Sequence, residues 1–384
     1  MATARAMRDF SLALDVYLKD ACPLRCKYCY LRRHPHALTD SNRNLSPSVL
    51  ARWIADASIS KVYINVRYGE PALSARGLYS LIQRLRLYGV DVLSANVVTS
   101  AFPYSPVFPL LSTLLTTRLQ ISVDGPYHVN RFRVQSPKLH SRIEENIRKY
   151  LAHMRDSKIS AAVTVTDLNL NRLQDVRQYL EGLGFPRAMF SPVDDGVSFV
   201  LSGRYGDYLL QSAELFADVF SRWERGESTF QAPIMAGLNS LLYGNYSEPE
   251  ICNPIRRTSV FVAPDGRVFP CIHAYLLYLL DPDNYSSFLL GSIHLDSFED
   301  VFDRFADAAD LIREFRYMEV ERFSEYGILL GCEFALHDFA QLHNVSTDYI
   351  YQRASPQVEK VRPAVLDLLS TFSKDELLRF GWQY

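Results

Sequence analysis

The chain has 384 residues, of which 48% are hydrophobic and 22% charged. That composition excludes a mainly disordered protein and leaves material for about two to three folding units, or one large barrel with additions. Lys and Arg total 41 against 43 Asp and Glu, a net charge of −2, so no global basic field exists to hold nucleic acid.

The N-terminal stretch lacks the apolar core of a secretory signal, and no apolar run approaches a membrane span. A cytoplasmic protein with no membrane partner is expected. In chain order, short apolar strands are predicted over 11–19, 61–66, 91–98, 118–123, 159–165 and 188–191. Amphipathic helices are predicted between them over 47–57, 73–87, 105–115, 140–154 and 171–183. Ser46 reads as the cap of the first helix, with Pro47 at its first position, and Gly182 and Gly184 punctuate the end of the fifth. Six strands alternating with helices imply a parallel α/β sheet, with chemistry gathered at the strand C-terminal ends. Past about residue 192 come helical patterns over 208–225 and 232–243. A hairpin follows at Asp265-Gly266, then a helix from about 297 and tail helices over 358–372 and 374–380.

Three of the six cysteines, Cys22, Cys26 and Cys29, fall within eight residues, whereas Cys252, Cys271 and Cys332 are scattered through the last third. A disulfide framework fits a reducing compartment poorly. Clustered thiolates repel one another unless a cation shares their charge, and soft sulfur selects zinc or iron–sulfur clusters. Zinc would want four ligands, commonly from paired Cys-x2-Cys elements. The run here is Cys22-x3-Cys26-x2-Cys29, with Tyr28 just before its last cysteine.

That motif resembles the radical S-adenosylmethionine (radical SAM) family. The resemblance implies a partial (β/α)6 barrel and a [4Fe–4S] cluster on Cys22, Cys26 and Cys29. The fourth iron of such a cluster is open to chelate S-adenosylmethionine, whose cleavage yields a 5′-deoxyadenosyl radical. Further positions carry the likeness. Arg67-Tyr68-Gly69-Glu70-Pro71 is similar to the family's Gly-Gly-Glu-Pro element, with Tyr68 in place of the first glycine. The resemblance puts Gly69 and Glu70 at the cofactor's amino group. Ser122-Val123-Asp124-Gly125-Pro126 looks like the Ser-x-Asp-Gly-Pro segment, which puts Ser122 and Asp124 near the ribose. In the element that follows, Arg133, in preference to Arg131, is placed on the cofactor carboxylate. Thr99, Thr164 and Val165 are placed at the ribose or adenine, with strand packing as the competing reading.

The C-terminal cysteine pattern is similar to the auxiliary-cluster extensions called SPASM and twitch domains. With Cys252, Cys271 and Cys332 as ligands, one auxiliary [4Fe–4S] cluster is implied, and a substrate group, a carboxylate or His273 would fill the remaining place. The expected organisation is a radical SAM core over 10–195, a helical bridge over 196–250, a twitch/SPASM-like domain over 251–335 and a helical tail over 336–384. Resemblance to this subgroup implies a ribosomal precursor peptide as substrate and an external electron donor of flavodoxin or ferredoxin type. The product implied is a crosslinked (cyclised) or oxidised peptide. The alternatives are a twitch-type dehydrogenase of a small metabolite, a peptide epimerase, and a noncatalytic iron–sulfur electron carrier. No catalytic side chain is identified in the sequence.

Overall fold

In the computed structural model, residues 11–155, 158–232, 258–326, 333–370 and 372 are described. Cys252, Cys332 and most of the helices predicted over 232–243 and 374–380 lie outside them.

Six strands run parallel in sequential order: β1 (Ser11–Val16), β2 (Lys61–Val66), β3 (Asp91–Thr99), β4 (Thr116–Ser122), β5 (Ile159–Val165) and β6 (Ala188–Pro192). Each is joined to the next through a helix: α1 (Pro47–Asp56), α2 (Ala75–Leu87), α3 (Val107–Leu114), α4 (Pro137–His153) and α5 (Leu173–Leu183). This is the expected partial (β/α)6 barrel. The local signals act as read: Ser46 accepts a bond from the Val49 N–H at the start of α1, and Gly184 ends α5 at φ +99°.

Alternation along the strands separates two faces. Leu12, Leu14 and Val16 of β1 and Val62, Ile64 and Val66 of β2 are buried in the core that the helices cover. Many of the intervening positions are polar: Asp15, Asn65, Asn96, Gln120, Ser122 and Thr164 occupy the other face, where the Asn96 amide donates to Asn65 across 2.9 Å. A period of two thus gives the barrel an apolar exterior and a hydrophilic lumen.

The C-terminal part extends the same sheet. Strand β7 (Ser259–Val262) pairs in parallel with β1, and β8 (Arg267–Phe269) and β9 (Gly291–Ser292) follow antiparallel. The Asp265-Gly266 hairpin forms as expected, with Gly266 at φ +85°. Four longer helices complete this part: α6 (Tyr205–Glu224), α7 (Ile272–Leu280), α8 (Phe298–Tyr326) and α9 (Glu333–Leu342). Last comes α10 (Thr347–Leu369), which packs on α6 so closely that a Cβ on Gly206 would stand 2.6 Å from the Gln357 carbonyl oxygen. Among the described residues, no helix is long and apolar enough to cross a membrane.

Candidate active site at the barrel mouth

The chain leaves β1 into the cysteine loop, which a short helix (Tyr30–Arg33) follows. Side chains hold this loop in shape. Asp40 accepts the Cys22 N–H at 3.1 Å, and Arg32 donates to the carbonyls of Cys22 (3.0 Å) and Leu24 (3.1 Å) while pairing with Asp40 at 3.0 Å. The Lys27 N–H donates to the Phe132 carbonyl at 2.7 Å, tying the loop to the segment after β4. Replacing Arg32 with methionine frees the Leu24 carbonyl, leaves that of Cys22 to Arg25 alone and removes the pair with Asp40, so iron retention after reconstitution is expected to weaken by about tenfold or more. Competition with a chelator measures it.

Cys22, Cys26 and Cys29 are unbridged, partly buried thiols lining one cavity of about 470 Å³. Burial, reinforced by the Glu70 carboxylate, pushes the Cys22 thiol up to about 12. Burial also pushes Cys26 to about 11, with Arg133 opposing the rise. Two thiols that resist ionising alone, beside a third, want a cationic centre to share their charge. Among the described residues no three His, Cys, Asp or Glu groups are arranged to hold a single metal ion. A cubane, whose irons stand apart, calls instead for thiols around a larger space, and this donor set fits it.

The turn after β2 builds the next wall. Gly69 sits at φ +64°, and a Cβ there would stand 2.7 Å from the Lys19 carbonyl oxygen and 2.8 Å from that of Ala21. Only glycine allows this approach of the β2 turn to the cysteine loop. Glu70 is buried and accepts four bonds: from the Ala72 N–H at 3.0 Å, the Ser100 N–H at 2.9 Å, the Ser100 hydroxyl at 2.5 Å and the Thr99 hydroxyl. A carboxylate has about four lone-pair positions, so this one is engaged by its own chain. Tyr68, the departure from the family's first glycine, is absorbed by aromatic packing, edge-on to Phe261 at 5.1 Å and near Tyr17 at 6.0 Å.

A third wall comes from β4 and β5. The buried Asp124 carboxylate accepts from the Tyr28 hydroxyl, from Arg133 at 3.0 and 3.2 Å and from the Thr164 N–H at 2.9 Å. Arg133 is buried beneath this pair, and burial of the Tyr28 phenol raises it well above its ordinary range. Arg131, by contrast, is exposed and donates to the His128 carbonyl.

The cavity therefore brings together Cys22, Cys26, Tyr28, Cys29, Gly69, Glu70, Thr99, Ser122, Arg133 and Thr164. Two expected residues do not line it. Asp124 lies behind Arg133, and Val165, one step past Thr164 in a strand, turns to the buried opposite face. Cys271 stands at the end of the hairpin and caps α7, two residues before His273, which does line the cavity. His273 Nδ1 lies 3.2 Å from Asp338, whose other oxygen is 3.2 Å from His34.

Sequence reasoning missed Asp194 and Asp195 in the cavity and Arg32 and Asp338 beside it, and it assigned no role to Arg67, although Arg67 heads the Gly69-Glu70 element. Asp194 and Asp195 follow β6 at φ 50° and 49°, a backbone conformation costly for any residue but glycine. Asp194 is held by Arg33 at 2.8 Å and Ser198 at 2.8 Å. Burial works to raise its carboxyl, but hydrogen bonds from His343 and Arg33 and the Arg33 charge outweigh this and hold it below the usual range. A depressed folded value contributes stability that is complete above the unfolded value of about 4 and lost as pH falls through the folded one. Asp194→Asn is accordingly expected to destabilise by about 2 kcal/mol at neutral pH, a figure discounted for the partial exposure of Arg33. The gap from the parent should narrow on acidification, as urea unfolding across that range will report.

Comparison with known proteins now gives the class. Residues 16–180 match the family described as the Radical SAM superfamily. This span is a radical SAM domain. Over nearly the whole chain the fold is similar to native anSMEcpe with bound AdoMet, at 14% identity, TM-score 0.64, covering 94% of this chain and 100% of that one. The same figures hold for native anSMEcpe with bound AdoMet and Cp18Cys peptide. Streptococcus suis SuiB bound to precursor peptide SuiA matches at 15% identity and TM-score 0.56, covering 85% of this chain and 73% of that one. At these identities the likeness is one of fold. No curated protein matches the chain.

Proposed function

We propose that this protein is a radical SAM peptide maturase of the SPASM/twitch type, which removes hydrogen from a peptide and leaves it crosslinked or oxidised. The observation that carries the reading is the convergence of Cys22, Cys26 and Cys29 on the cavity that Gly69, Glu70, Ser122, Arg133 and Thr164 also line. An electron carrier needs no such cradle. When bound, S-adenosylmethionine on a [4Fe–4S] cluster supplies a 5′-deoxyadenosyl radical able to take hydrogen from an unactivated C–H bond.

The chain's own residues do the rest. Cys22, Cys26 and Cys29 hold the cluster. Glu70 fixes the β2 turn through its four bonds, so that Gly69 backbone lies against the cysteine loop and offers its polar groups to the cofactor's amino end. Arg133 presents a charge for the cofactor carboxylate, oriented by Asp124 and by its bond to the Thr164 hydroxyl at 3.2 Å. Ser122, Thr99 and Thr164 serve the ribose, and Tyr28 closes the wall by its bond to Asp124. Asp124 thus acts through Arg133 and Tyr28 rather than by touching the ribose.

In this reading Cys252, Cys271 and Cys332 would hold an auxiliary [4Fe–4S] cluster, which would supply an electron acceptor for the substrate, and the electron donor would be a flavodoxin- or ferredoxin-type protein. About eight irons per chain are then expected, falling to about four when these three cysteines are replaced with alanine. A peptide substrate agrees with the peptides held by the two similar folds. The test is anaerobic turnover with candidate precursor peptides followed by mass spectrometry. Loss of two hydrogens supports the reading. Unchanged mass with deuterium uptake from solvent would assign epimerisation, and 5′-deoxyadenosine formed only with a small metabolite would assign the dehydrogenase.

A further inference from the structure

Five ordinary charged side chains line the cavity: Arg67, Glu70, Arg133, Asp194 and Asp195. Three are engaged by the protein itself. Glu70 accepts four bonds, Arg133 is paired with Asp124, and Asp194 is held by Arg33 and Ser198.

The other two stand differently. Arg67 follows directly on β2 and leaves about half of its side chain accessible, 49%. Among the described residues its guanidinium makes one ion pair, 3.5 Å from Asp15, and no hydrogen bond, although it carries five donors. Asp195 follows β6, four strands away in the sheet, and makes neither a hydrogen bond nor an ion pair among the described residues. Desolvation raises its carboxyl, with the His273 charge opposing the rise and Asp194 and Asp338 adding to it. Its backbone is held at φ 49° by the bonds of Asp194 one residue earlier. Asp195 is half-buried, so its carboxylate faces the cavity with its acceptor positions open to a ligand that donates to it.

We infer that Arg67 and Asp195 select the substrate of this cavity, Arg67 receiving a carboxylate side chain of the peptide and Asp195 a hydrogen-bond donor such as a backbone N–H of the same segment. The inference rests on the peptide reading above and deepens it by naming an acidic residue at the site of reaction. A guanidinium suits a planar carboxylate because two parallel N–H bonds meet two oxygens. An amide in place of the acid keeps the shape and loses the charge.

The test uses the reconstituted full chain and three capped probes: acetyl-Ala-Glu-Ala-amide, acetyl-Ala-Gln-Ala-amide and acetyl-Ala-Lys-Ala-amide, with binding read by calorimetry or saturation-transfer NMR. The glutamate probe is expected to bind the parent protein about tenfold or more tightly than the glutamine probe. Arg67→Gln should erase that preference. Arg67→Lys, which keeps the charge but not the fork, should reduce it. Asp195→Asn should weaken both probes alike. Equal binding of acid and amide by the parent, tighter binding of the lysine probe, or a preference that survives Arg67→Gln would overturn the inference. So would a loss in Arg67→Gln confined to S-adenosylmethionine affinity, which would put Arg67 on the cofactor. Iron content and peptide-independent cleavage of S-adenosylmethionine, measured alongside, report on the radical SAM reading separately. Intact values with no acid preference sink only the specificity proposal.

Discussion

Gly69→Ala is expected to destroy the site while its neighbour Gly77→Ala does not. At Gly69 the new Cβ meets two backbone carbonyl oxygens, those of Lys19 and Ala21, at 2.7 and 2.8 Å, where no flexible side chain can give way. The residue also sits at φ +64°, which costs a non-glycine residue roughly 1 kcal/mol before any clash. Together the two effects are expected to cost about 2–4 kcal/mol. The strain falls where it does most harm: the Glu70 N–H donates to the same Ala21 carbonyl at 2.9 Å, and Cys22 follows immediately. Pushing the turn away opens the wall between cysteine loop and cradle. Iron retention and 5′-deoxyadenosine formation should both fall by about two orders of magnitude. Gly77 lies inside α2 with nothing nearer its added Cβ than the Pro47 ring at 3.8 Å, so alanine there should stabilise by up to about 1 kcal/mol. Normal iron content in Gly69→Ala would refute this account of the turn.

The second large effect concerns a buried charge. Removing Asp124 by Asp124→Ala leaves Arg133, 8% exposed, with its principal anion gone and the Tyr28 hydroxyl without its acceptor. Breaking a buried pair in this one-sided way is expected to cost about 3–5 kcal/mol, because the surviving guanidinium has little water to turn to. Removing both partners is different. Asp124→Ala with Arg133→Met should recover much of the lost stability, since no uncompensated charge remains, yet it should not recover affinity for S-adenosylmethionine. The double-mutant cycle separates the structural role of Asp124 from the cofactor role of Arg133. Additive losses of stability would show that the pair is not coupled.

Much of the fold was legible from the chain because its signals are local. Alternating Val and Ile in β2, and Ile, Ala and Val in β5, marked these strands at their observed bounds, and Ser46-Pro47 and Gly184 worked as cap and stop. The sequence reading failed where tertiary burial overrides local preference. Helix α10 runs through Pro356 and Pro363, where a break would be expected, because Ile350, Tyr351, Ala354, Val358, Val365 and Leu369 bury one continuous side. Helix α7, nearly all apolar, carries no amphipathic stripe to reveal it.

The site divides the same way. Cys22 to Cys29, Gly69-Glu70 and Ser122 to Asp124 are contiguous motifs and could be read in place. Arg32, Asp194, Asp195 and Asp338 belong to no motif; they meet the cavity and its loop only because the segments after β1 and β6 and helix α9 come to one place. Val165 went astray for a simpler reason, since a strand sends adjacent residues to opposite faces.

Everything chemical rests on an iron left open among Cys22, Cys26 and Cys29. The most direct measurement is electron paramagnetic resonance on anaerobically reconstituted, reduced protein in which Cys252, Cys271 and Cys332 are alanine, with and without S-adenosylmethionine. The account predicts about four irons per chain and a reduced-cluster signal that changes when S-adenosylmethionine is added. Bound zinc in place of iron, or a cluster signal indifferent to S-adenosylmethionine, would contradict it.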